Sequence, residues 1–218
     1  MVEVVVFDMD GTLLSKDSTK VWLIRMLKSN VLRFIAAIFV IPIAIPLMKI
    51  KKYKYLGASL FLWVATYGLN EKQIQESCKN FAIQVKENAI HDLYWFKDGI
   101  SELENHLNKN RHVIIATAAP ELLAIALFNS IGLNVHVVGT PLKKNMGGWI
   151  SGIHCRYIEK VRRLQLIGIN PQWFATYSDD IEEDYPILVN SKYPYLINGN
   201  KPKIVCKELD HIHELKWK

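Results

Sequence analysis

The residues best suited to chemistry are two aspartates, Asp8 and Asp10, which follow a short apolar run near the beginning of the chain. That run, with three consecutive valines and Phe7, predicts a strand buried on both faces, as in a parallel sheet. Ligands of open α/β sheets bind at the carboxyl ends of the strands. Two neighbouring carboxylates repel, so a site that keeps both holds a cation or splits their protonation states. An acidic surface turn would also explain Asp-x-Asp taken alone.

Three later segments place polar side chains where they could complete such a site. A predicted strand, residues 112–117, ends in Thr117 just before a predicted helix, which suits an anion. Lys160 lies in a basic segment at the start of another predicted helix, although a solvated face would explain any one of these cations. The predicted strand 173–178 is followed by an acidic cluster that suits a hard cation such as Mg²⁺; the cluster comprises Asp179, Asp180, Glu182, Glu183 and Asp184.

In their order along the chain, these segments resemble the four motifs of the haloacid dehalogenase-like (HAD) phosphohydrolase superfamily. The first motif is Val-Val-Phe-Asp-Met-Asp-Gly-Thr-Leu-Leu-Ser. The resemblance implies that Asp8 is the nucleophile that takes the phosphoryl group and that Asp10 is the general acid and base. It further implies that Thr117 grips a phosphate oxygen and that Lys160 offsets the charge of nucleophile and phosphoryl group. Relatives often carry Gly three residues before that lysine, where this chain has Tyr157.

The same resemblance implies a magnesium site. The main-chain carbonyl of Asp10 is one expected ligand. The fourth motif begins at Tyr-Ser-Asp and ends at Asp-Tyr-Pro-Ile-Leu, with one residue more than usual between its two acids. We therefore expect the metal site to comprise Asp8, Asp10, Asp179 and Asp184. In the fourth motif, Asp179 is the expected ligand and Asp184 is the expected supporting carboxylate. Asp180 and Glu183 are the alternatives.

The pattern of elements predicts an α/β fold, a Rossmann-like HAD core with a mainly parallel five-stranded sheet and a helical cap inserted after the first strand. We expect the core to comprise residues 1–16 and 90–218, and the helical insert to comprise residues 17–89. Residues 195–197 are the last predicted strand. A β-hairpin turn is predicted at Met146-Gly147-Gly148-Trp149.

The helical insert carries the basic character of the chain. Between residues 16 and 89 there are 12 lysines and arginines against 4 aspartates and glutamates, whereas the formal charge of the whole chain is +6. Residues 34–48 have no charge, and Pro42 and Pro46 interrupt them, which argues against one straight helix. The run is shorter than the ~20 residues of a membrane span, so a buried, re-entrant or interfacial segment is favoured. A hydrophobic core of the insert is one explanation, and contact with an anionic membrane surface is the other.

Three features of the composition narrow the location and partners. The cysteines, Cys78, Cys155 and Cys206, are far apart and lack metal-ligand spacing, which suggests reduced thiols. No basic n-region or signal peptide begins the chain. No nucleic-acid motif accompanies the basic insert, so no nucleic-acid partner is expected. These features predict a cytoplasmic protein, peripheral on the inner face of the membrane if the insert docks there.

The helical insert resembles the cap of the phosphoserine-phosphatase-like branch of this superfamily, and further features are similar to its phosphatidylglycerophosphatase C group. The resemblance implies a magnesium-dependent phosphomonoester hydrolase acting on a lipid phosphate such as phosphatidylglycerophosphate. The alternatives are a soluble phosphatase for small phosphomonoesters and an inactive HAD domain that binds a membrane or partner. The features that carry the resemblance are the Pro-broken stretch, Ser59-Leu60-Phe61-Leu62-Trp63 with Thr66-Tyr67-Gly68, Gly147-Gly148-Trp149, and Cys155 with Glu159-Lys160-Val161.

Overall fold

The computed structural model describes residues 2–50, 53–199 and 209–218, with the Lys54 side chain excepted. Within these residues the strands and helices alternate after a long helical insert. The strands are β1 (Val4–Phe7), β2 (His112–Pro120), β3 (His136–Thr140), β4 (Leu142–Asn145), β5 (Gly148–Ser151), β6 (Trp173–Ser178), β7 (Ser191–Ile197) and β8 (His213–Leu215). The helices are α1 (Ser18–Lys28), α2 (Val31–Lys49), α3 (Lys54–Thr66), α4 (Glu71–Lys86), α5 (Lys97–Asn108), α6 (Glu121–Ser130), α7 (Ile158–Leu166) and α8 (Ile181–Leu188).

The main sheet has six strands in the order β3-β2-β1-β6-β7-β8, and every neighbouring pair is parallel. The α/β fold and the parallel sheet are confirmed, but the predicted count of five strands is wrong. The sixth strand, β8, contains a single apolar residue, Leu215, between polar neighbours, so periodicity does not distinguish it. Backbone pairing with β7 nevertheless holds it in the sheet.

The first strand is buried on both faces, as its sequence predicts. Val5 and Phe7 lie in the larger hydrophobic cluster, and Val6 lies in a second cluster on the opposite face. The strand order turns at β1, because β2 and β3 lie on one side and β6 and β7 on the other. Such a turning point is where α/β sheets bind their ligands, and it places residues 8–12 at the centre of that edge.

Helices α1 to α4 occupy the stretch assigned to the helical insert. Helix α4 packs against α6 of the sheet layer through buried residues such as Phe81 and Leu127. Helix α3 packs against α2 and β5. The proposed domain boundaries, 1–16 and 90–218 against 17–89, remain a prediction.

Helix α2 is continuous over 19 residues with Pro42 and Pro46 inside it, so the prolines do not end the helix, and the expectation that it is not straight stays a prediction. A close contact with α3 stabilises it there. A Cβ on Gly57 would lie 2.5 Å from the carbonyl oxygen of Ala44 and 2.5 Å from Cγ of Met48, so only glycine permits this approach. Tertiary packing thus outweighs the local cost of the prolines.

The same helix is largely exposed. Among the described residues, α2 is the one helix whose length and composition would allow it to cross a membrane, with a mean hydropathy of 2.4. Only 11% of that stretch is buried, which distinguishes it from the core helix of a soluble domain. Leu32 and Phe39 are each 76% exposed. By length and composition alone the helix is therefore long enough to span, and its low burial does not fit the hydrophobic-core explanation.

The predicted hairpin is present as β4 and β5. Met146 and Gly147 form its two-residue loop, and both have positive φ (45° and 85°), as in a type I′ turn. Hydrogen bonds from both of its strands fix the hairpin to α3. The indole N–H of Trp63 donates to the carbonyl of Asn145 (3.0 Å), and the amide of Trp149 donates to Oγ1 of Thr66 (2.9 Å).

Candidate active site

Asp8 and Lys160 form the centre of the site. Asp8 follows β1 directly, and its amide donates to the carbonyl of Tyr177 on β6, which holds the residue at the edge of the sheet. Nζ of Lys160, on α7, lies 2.7 Å from Oδ1 of Asp8, and the side chains are 1% and 10% exposed. The structure therefore brings together two of the predicted residues that are far apart in the sequence.

Asp184 completes a buried charge cluster around that lysine. Its Oδ1 lies 2.6 Å from Nζ of Lys160, and its Oδ2 accepts a 2.7 Å hydrogen bond from the hydroxyl of Ser178. Burial alone would lower the pKa of Lys160, but the charges of Asp184 and Asp8 raise it above its ordinary value. Lys160 thus stays an ammonium at neutral pH and directs one of its hydrogen bonds to Asp8.

Thr12 joins Asp8 to Asp179. Its hydroxyl lies 3.3 Å from Oδ2 of Asp8 and 3.1 Å from Oδ1 of Asp179, and it accepts the Asp179 amide at 3.0 Å. Gly11, with φ of 88°, lets the loop pass this carboxylate, since a Cβ there would fall 2.1 Å from Oδ2 of Asp179. Burial and then the charge of Asp8 raise the pKa of Asp179 to about 7.

Asp10 faces the first helix of the insert. Its Oδ1 accepts a hydrogen bond from the amide of Ser18 at 3.1 Å, where α1 begins. Burial and then the nearby charge of Asp17 raise its pKa well above the ordinary value. A raised pKa favours the protonated carboxyl that a general acid must offer.

The other predicted residues lie around this centre. Thr117 is 1% exposed near the carboxyl end of β2, beside β1, and its hydroxyl accepts the amide of Ala119 at 3.1 Å. Strand β2 continues to Pro120, three residues beyond its predicted end. Asp180 caps α8 by accepting the amide of Glu183 at 2.9 Å. The side chain of Glu183 pairs with Arg156 at 3.1 Å.

Tyr157 holds an unusual backbone conformation immediately before α7. Its φ of 50° and ψ of −133° lie in a region that is hardly accessible to residues with a Cβ. Glycine, which the family resemblance implies for this position, adopts such angles without strain. The residue turns the chain into α7, three residues before Lys160.

The carboxylates suit a hard cation. Asp8 and Asp179 lie on either side of the Thr12 hydroxyl, and their mutual repulsion, which contributes to the raised pKa of Asp179, would be relieved by a divalent ion bound between them. Among the described residues, no group of three His, Cys, Asp or Glu side chains forms a metal cluster. Of the four residues expected to form the metal site, Asp8 and Asp179 are thus adjacent, and the ligand set itself remains a prediction. Asp184, in contrast, points both oxygens at Lys160 and Ser178.

Sequence reasoning did not assign three residues that the structure places in or beside the site. Thr12 and Ser178 hold the carboxylates, and Arg156 pairs with Glu183. Thr12 could have been found, because it lies in the first motif, two residues after Asp10. Ser178 could likewise have been found, because it lies at the start of the fourth motif, whereas Arg156 carries no such signal, since cations before helices are common.

Comparisons with known proteins agree with this geometry. A family profile described as "haloacid dehalogenase-like hydrolase" matches residues 5–188. A Bordetella pertussis Tohama I protein of unknown function is 17% identical, with 92% of each chain covered and a TM-score of 0.63. Phosphoserine phosphatase in its apo form is 10% identical, with 98% of this chain and 94% of that chain covered and a TM-score of 0.59. Cytosolic 5′-nucleotidase IIIB bound to cytidine is 10% identical, with 90% and 74% covered and a TM-score of 0.56.

At these identities the solved structures establish the fold, and the profile establishes the family. The chain belongs to the haloacid dehalogenase-like hydrolase family. The predicted superfamily and the predicted enzyme class, a hydrolase, are thereby confirmed.

Proposed function

We propose that the protein hydrolyses phosphomonoesters through a phosphorylated Asp8. The observation that supports this most directly is the 2.7 Å contact between Lys160 and Asp8 at the carboxyl edge of the sheet, next to Asp179. An ammonium held there neutralises charge on the nucleophile and on an incoming phosphoryl group. Electrostatic stabilisation of this kind is commonly the largest single contribution to catalysis.

In the first step a carboxylate oxygen of Asp8 attacks phosphorus. The bond from phosphorus to the leaving oxygen breaks, and Asp10 gives its proton to that oxygen, so that an alcohol departs. Lys160 and the hydroxyl of Thr117 donate to the phosphoryl oxygens. Thr12 keeps the Asp8 and Asp179 carboxylates in place.

In the second step Asp10, now a carboxylate, takes a proton from water as the water attacks phosphorus. The bond between phosphorus and the Asp8 oxygen breaks, inorganic phosphate leaves, and both aspartates return to their starting states. The chemistry needs an acid at position 10. A dehalogenase needs no acid for its leaving group, and a phosphotransferase must preserve its acyl phosphate.

The residues that would hold Mg²⁺ are Asp8, Asp179 and the main-chain carbonyl of Asp10. A bound magnesium ion would supply positive charge against the developing negative charge of the phosphoryl oxygens. Asp184 belongs with Lys160 in this proposal, as the carboxylate that orients the ammonium. Asp180 and Glu183 have other partners, the α8 backbone and Arg156.

A lipid phosphate is the substrate class that the helical insert supports. Helix α2 exposes a row of large apolar side chains to solvent, among them Phe34, Ile38 and Ile43. Basic residues lie at both of its ends, Arg33 and Lys49, and the sequence continues with Lys51, Lys52 and Lys54. The first two of these continuing lysines lie outside the described residues, as does the side chain of the third. Apolar surface with a cationic rim suits an interfacial helix on the anionic inner face of the cell membrane.

The test is phosphate release from a panel of phosphate esters, each assayed with Mg²⁺, with and without detergent. We expect turnover of a lipid phosphate such as phosphatidylglycerophosphate to exceed that of phosphoserine. A preference for a water-soluble ester would instead support a soluble phosphatase, as the folds of phosphoserine phosphatase and the nucleotidase suggest. No release from any ester, including an activated aryl phosphate, would contradict the proposal.

A further inference from the structure

An apolar cavity lies between α2, α3 and the β4–β5 hairpin. Its volume is about 550 Å³, within the range of ~300–1,000 Å³ usual for small-molecule sites. The polar atom of its largest side chain is already satisfied, because the Trp63 indole N–H donates to Asn145. The apolar walls come from Leu47, Leu56, Leu60, Trp63 and Ile150, with Tyr55 at one side.

Two buried nitrogen atoms in the loop that precedes α7 lack partners. Among the described residues, nothing hydrogen-bonds to Nε2 of His154 or to Nε of Arg156. Buried polar groups in folded proteins are nearly always hydrogen-bonded, so two unpaired nitrogens in one short loop call for an explanation. Burial lowers the pKa of His154 to about 4, so at neutral pH its ring is uncharged and offers one donor and one acceptor.

The two residues connect the cavity to the catalytic centre. The ring of His154 lies edge to face with Tyr55, 6.3 Å between centroids, and Tyr55 lines the cavity. Arg156 pairs with Glu183 at 3.1 Å. Glu183 directly precedes Asp184, whose carboxylate contacts Lys160 at 2.6 Å. These contacts therefore connect the cavity wall at Tyr55, through the loop of His154 and Arg156, with the lysine that contacts Asp8.

We infer that this cavity and loop form the binding site for the alcohol part of the substrate. The apolar walls take a single alkyl or acyl chain, and His154 and Arg156 hydrogen-bond the oxygen atoms between that chain and the phosphate. This inference rests on the proposed function and deepens it. It defines the substrate as a phosphomonoester in which a polar linker joins the phosphate to an alkyl or acyl chain, and the cavity holds one such chain. Helix α2 also contributes Leu47 to the cavity wall, so the cavity adjoins the helix whose outer face is apolar and exposed.

Binding is best measured without turnover, on the Asp8→Asn protein, by calorimetry with n-alkyl phosphates from butyl to dodecyl below their micelle concentrations. Each methylene transferred from water to an apolar wall is worth about 0.8 kcal/mol, an affinity gain of roughly fourfold. We expect the Kd to fall about twofold to fourfold per methylene until the cavity is filled. A Kd that does not change with chain length would overturn the inference.

A variant that fills the cavity tests whether the dependence of the Kd on chain length arises there. Leu60→Trp in the same Asp8→Asn protein should abolish most of the dependence on chain length and leave butyl phosphate binding within about twofold. Leu32→Trp is the matched control, because it adds the same ring to the exposed part of α2, away from the cavity. If both variants lost the dependence on chain length equally, the ligand chain would bind on the outer surface of α2, and the assignment of the cavity would be contradicted.

The polar half of the site is tested with a pair of ligands. A 1-acyl-glycerol 3-phosphate has linker oxygens that an alkyl phosphate of equal length lacks. His154→Phe and Arg156→Lys should each weaken the acyl-glycerol ligand about threefold to tenfold, the value of one hydrogen bond, and the alkyl phosphate less than twofold. Equal weakening of both ligands would contradict a role in linker recognition.

The two proposals fail separately in these experiments. Chain-length-dependent binding together with no phosphate release by the wild-type protein would refute the proposed function and leave the cavity assignment standing. Hydrolysis of butyl and dodecyl phosphates with equal kcat/KM, and equal Kd values on the Asp8→Asn protein, would refute the cavity and leave the hydrolase standing.

Discussion

Oδ1 of Asp10 accepts a hydrogen bond from the amide of Ser18 at 3.1 Å, so the expected general acid contacts the first turn of the helical insert. Asp10 lies on the loop after β1, and Ser18 begins α1. Any movement of α1 relative to the sheet would therefore reposition the carboxyl that protonates the leaving group. This contact connects the helical insert with the proposed general acid.

Asp10→Asn should reduce turnover most for esters with poor leaving groups. An alkoxide needs protonation as it departs, whereas a nitrophenolate departs without it, so an aryl ester should lose about tenfold to a hundredfold less activity than an alkyl ester. Steady-state kcat values for nitrophenyl phosphate and butyl phosphate provide the comparison. Similar losses for both esters would argue against Asp10 as the acid.

Asp179→Ala and Asp180→Ala should separate metal binding from stability. Asp179 lies against Gly11 and Thr12, so its removal should raise the magnesium concentration for half-maximal activity at least tenfold. Asp180 caps α8, so its removal should cost about 1 kcal/mol of folding free energy with little change in that concentration. Magnesium titrations and urea unfolding of both variants measure this. The reverse pattern would assign the metal ligand to Asp180 instead of Asp179.

Tyr157→Gly should be more stable than Tyr157→Ala by about 1 kcal/mol or more. Both remove the same half-exposed ring, but only glycine adopts a φ of 50° with a ψ of −133° without strain. Elsewhere in a folded protein alanine is usually the more stable of the two. Urea unfolding of the two variants, with equal m-values, is the measurement, and alanine proving equal or better would show that the conformation is not strained.

The protein should sediment with anionic vesicles and much less with neutral ones. Each lysine near an anionic surface contributes about 1 kcal/mol, so Lys49, Lys51, Lys52 and Lys54 together could raise binding about a thousandfold at low salt. Changing all four to Gln should release the protein while hydrolysis of nitrophenyl phosphate continues.

A matched pair of variants tests the contribution of apolar side chains to vesicle binding. Phe39→Asp on α2 should weaken vesicle binding, whereas Leu166→Asp on α7 should not. The two side chains are exposed to a similar degree, 76% and 75%. Binding to neutral and anionic vesicles alike, or equal effects of the two aspartates, would contradict docking through α2.

The sequence was sufficient for the parts of the site that follow buried strands. Asp8, Thr117 and Asp179 each lie just beyond or near the end of an apolar run, and parallel strands bring such ends to one edge. The sequence was not sufficient where long-range packing determines the local structure. Strand β8 is too polar to be distinguished by periodicity, and α2 passes through two prolines because Gly57 allows α3 to support it.

The side-chain partners were the least predictable part. Asp184 could be assigned to the acidic cluster from the sequence, but not its two contacts with Lys160 and Ser178. The unpaired nitrogens of His154 and Arg156 likewise depend on which groups the fold buries beside them. Hydrogen-bond partners are determined by positions in space, and residue type alone does not specify them.

The central claim is that Asp8 carries the phosphoryl group. The most direct measurement is to quench the protein in acid during turnover of nitrophenyl phosphate, reduce with borohydride, and sequence the peptides by mass spectrometry. The account predicts conversion of residue 8 to homoserine in the wild-type protein, and neither this product nor phosphate release in a folded Asp8→Asn variant. Phosphate release near the wild-type rate by Asp8→Asn, or the reduced residue at another position, would contradict it.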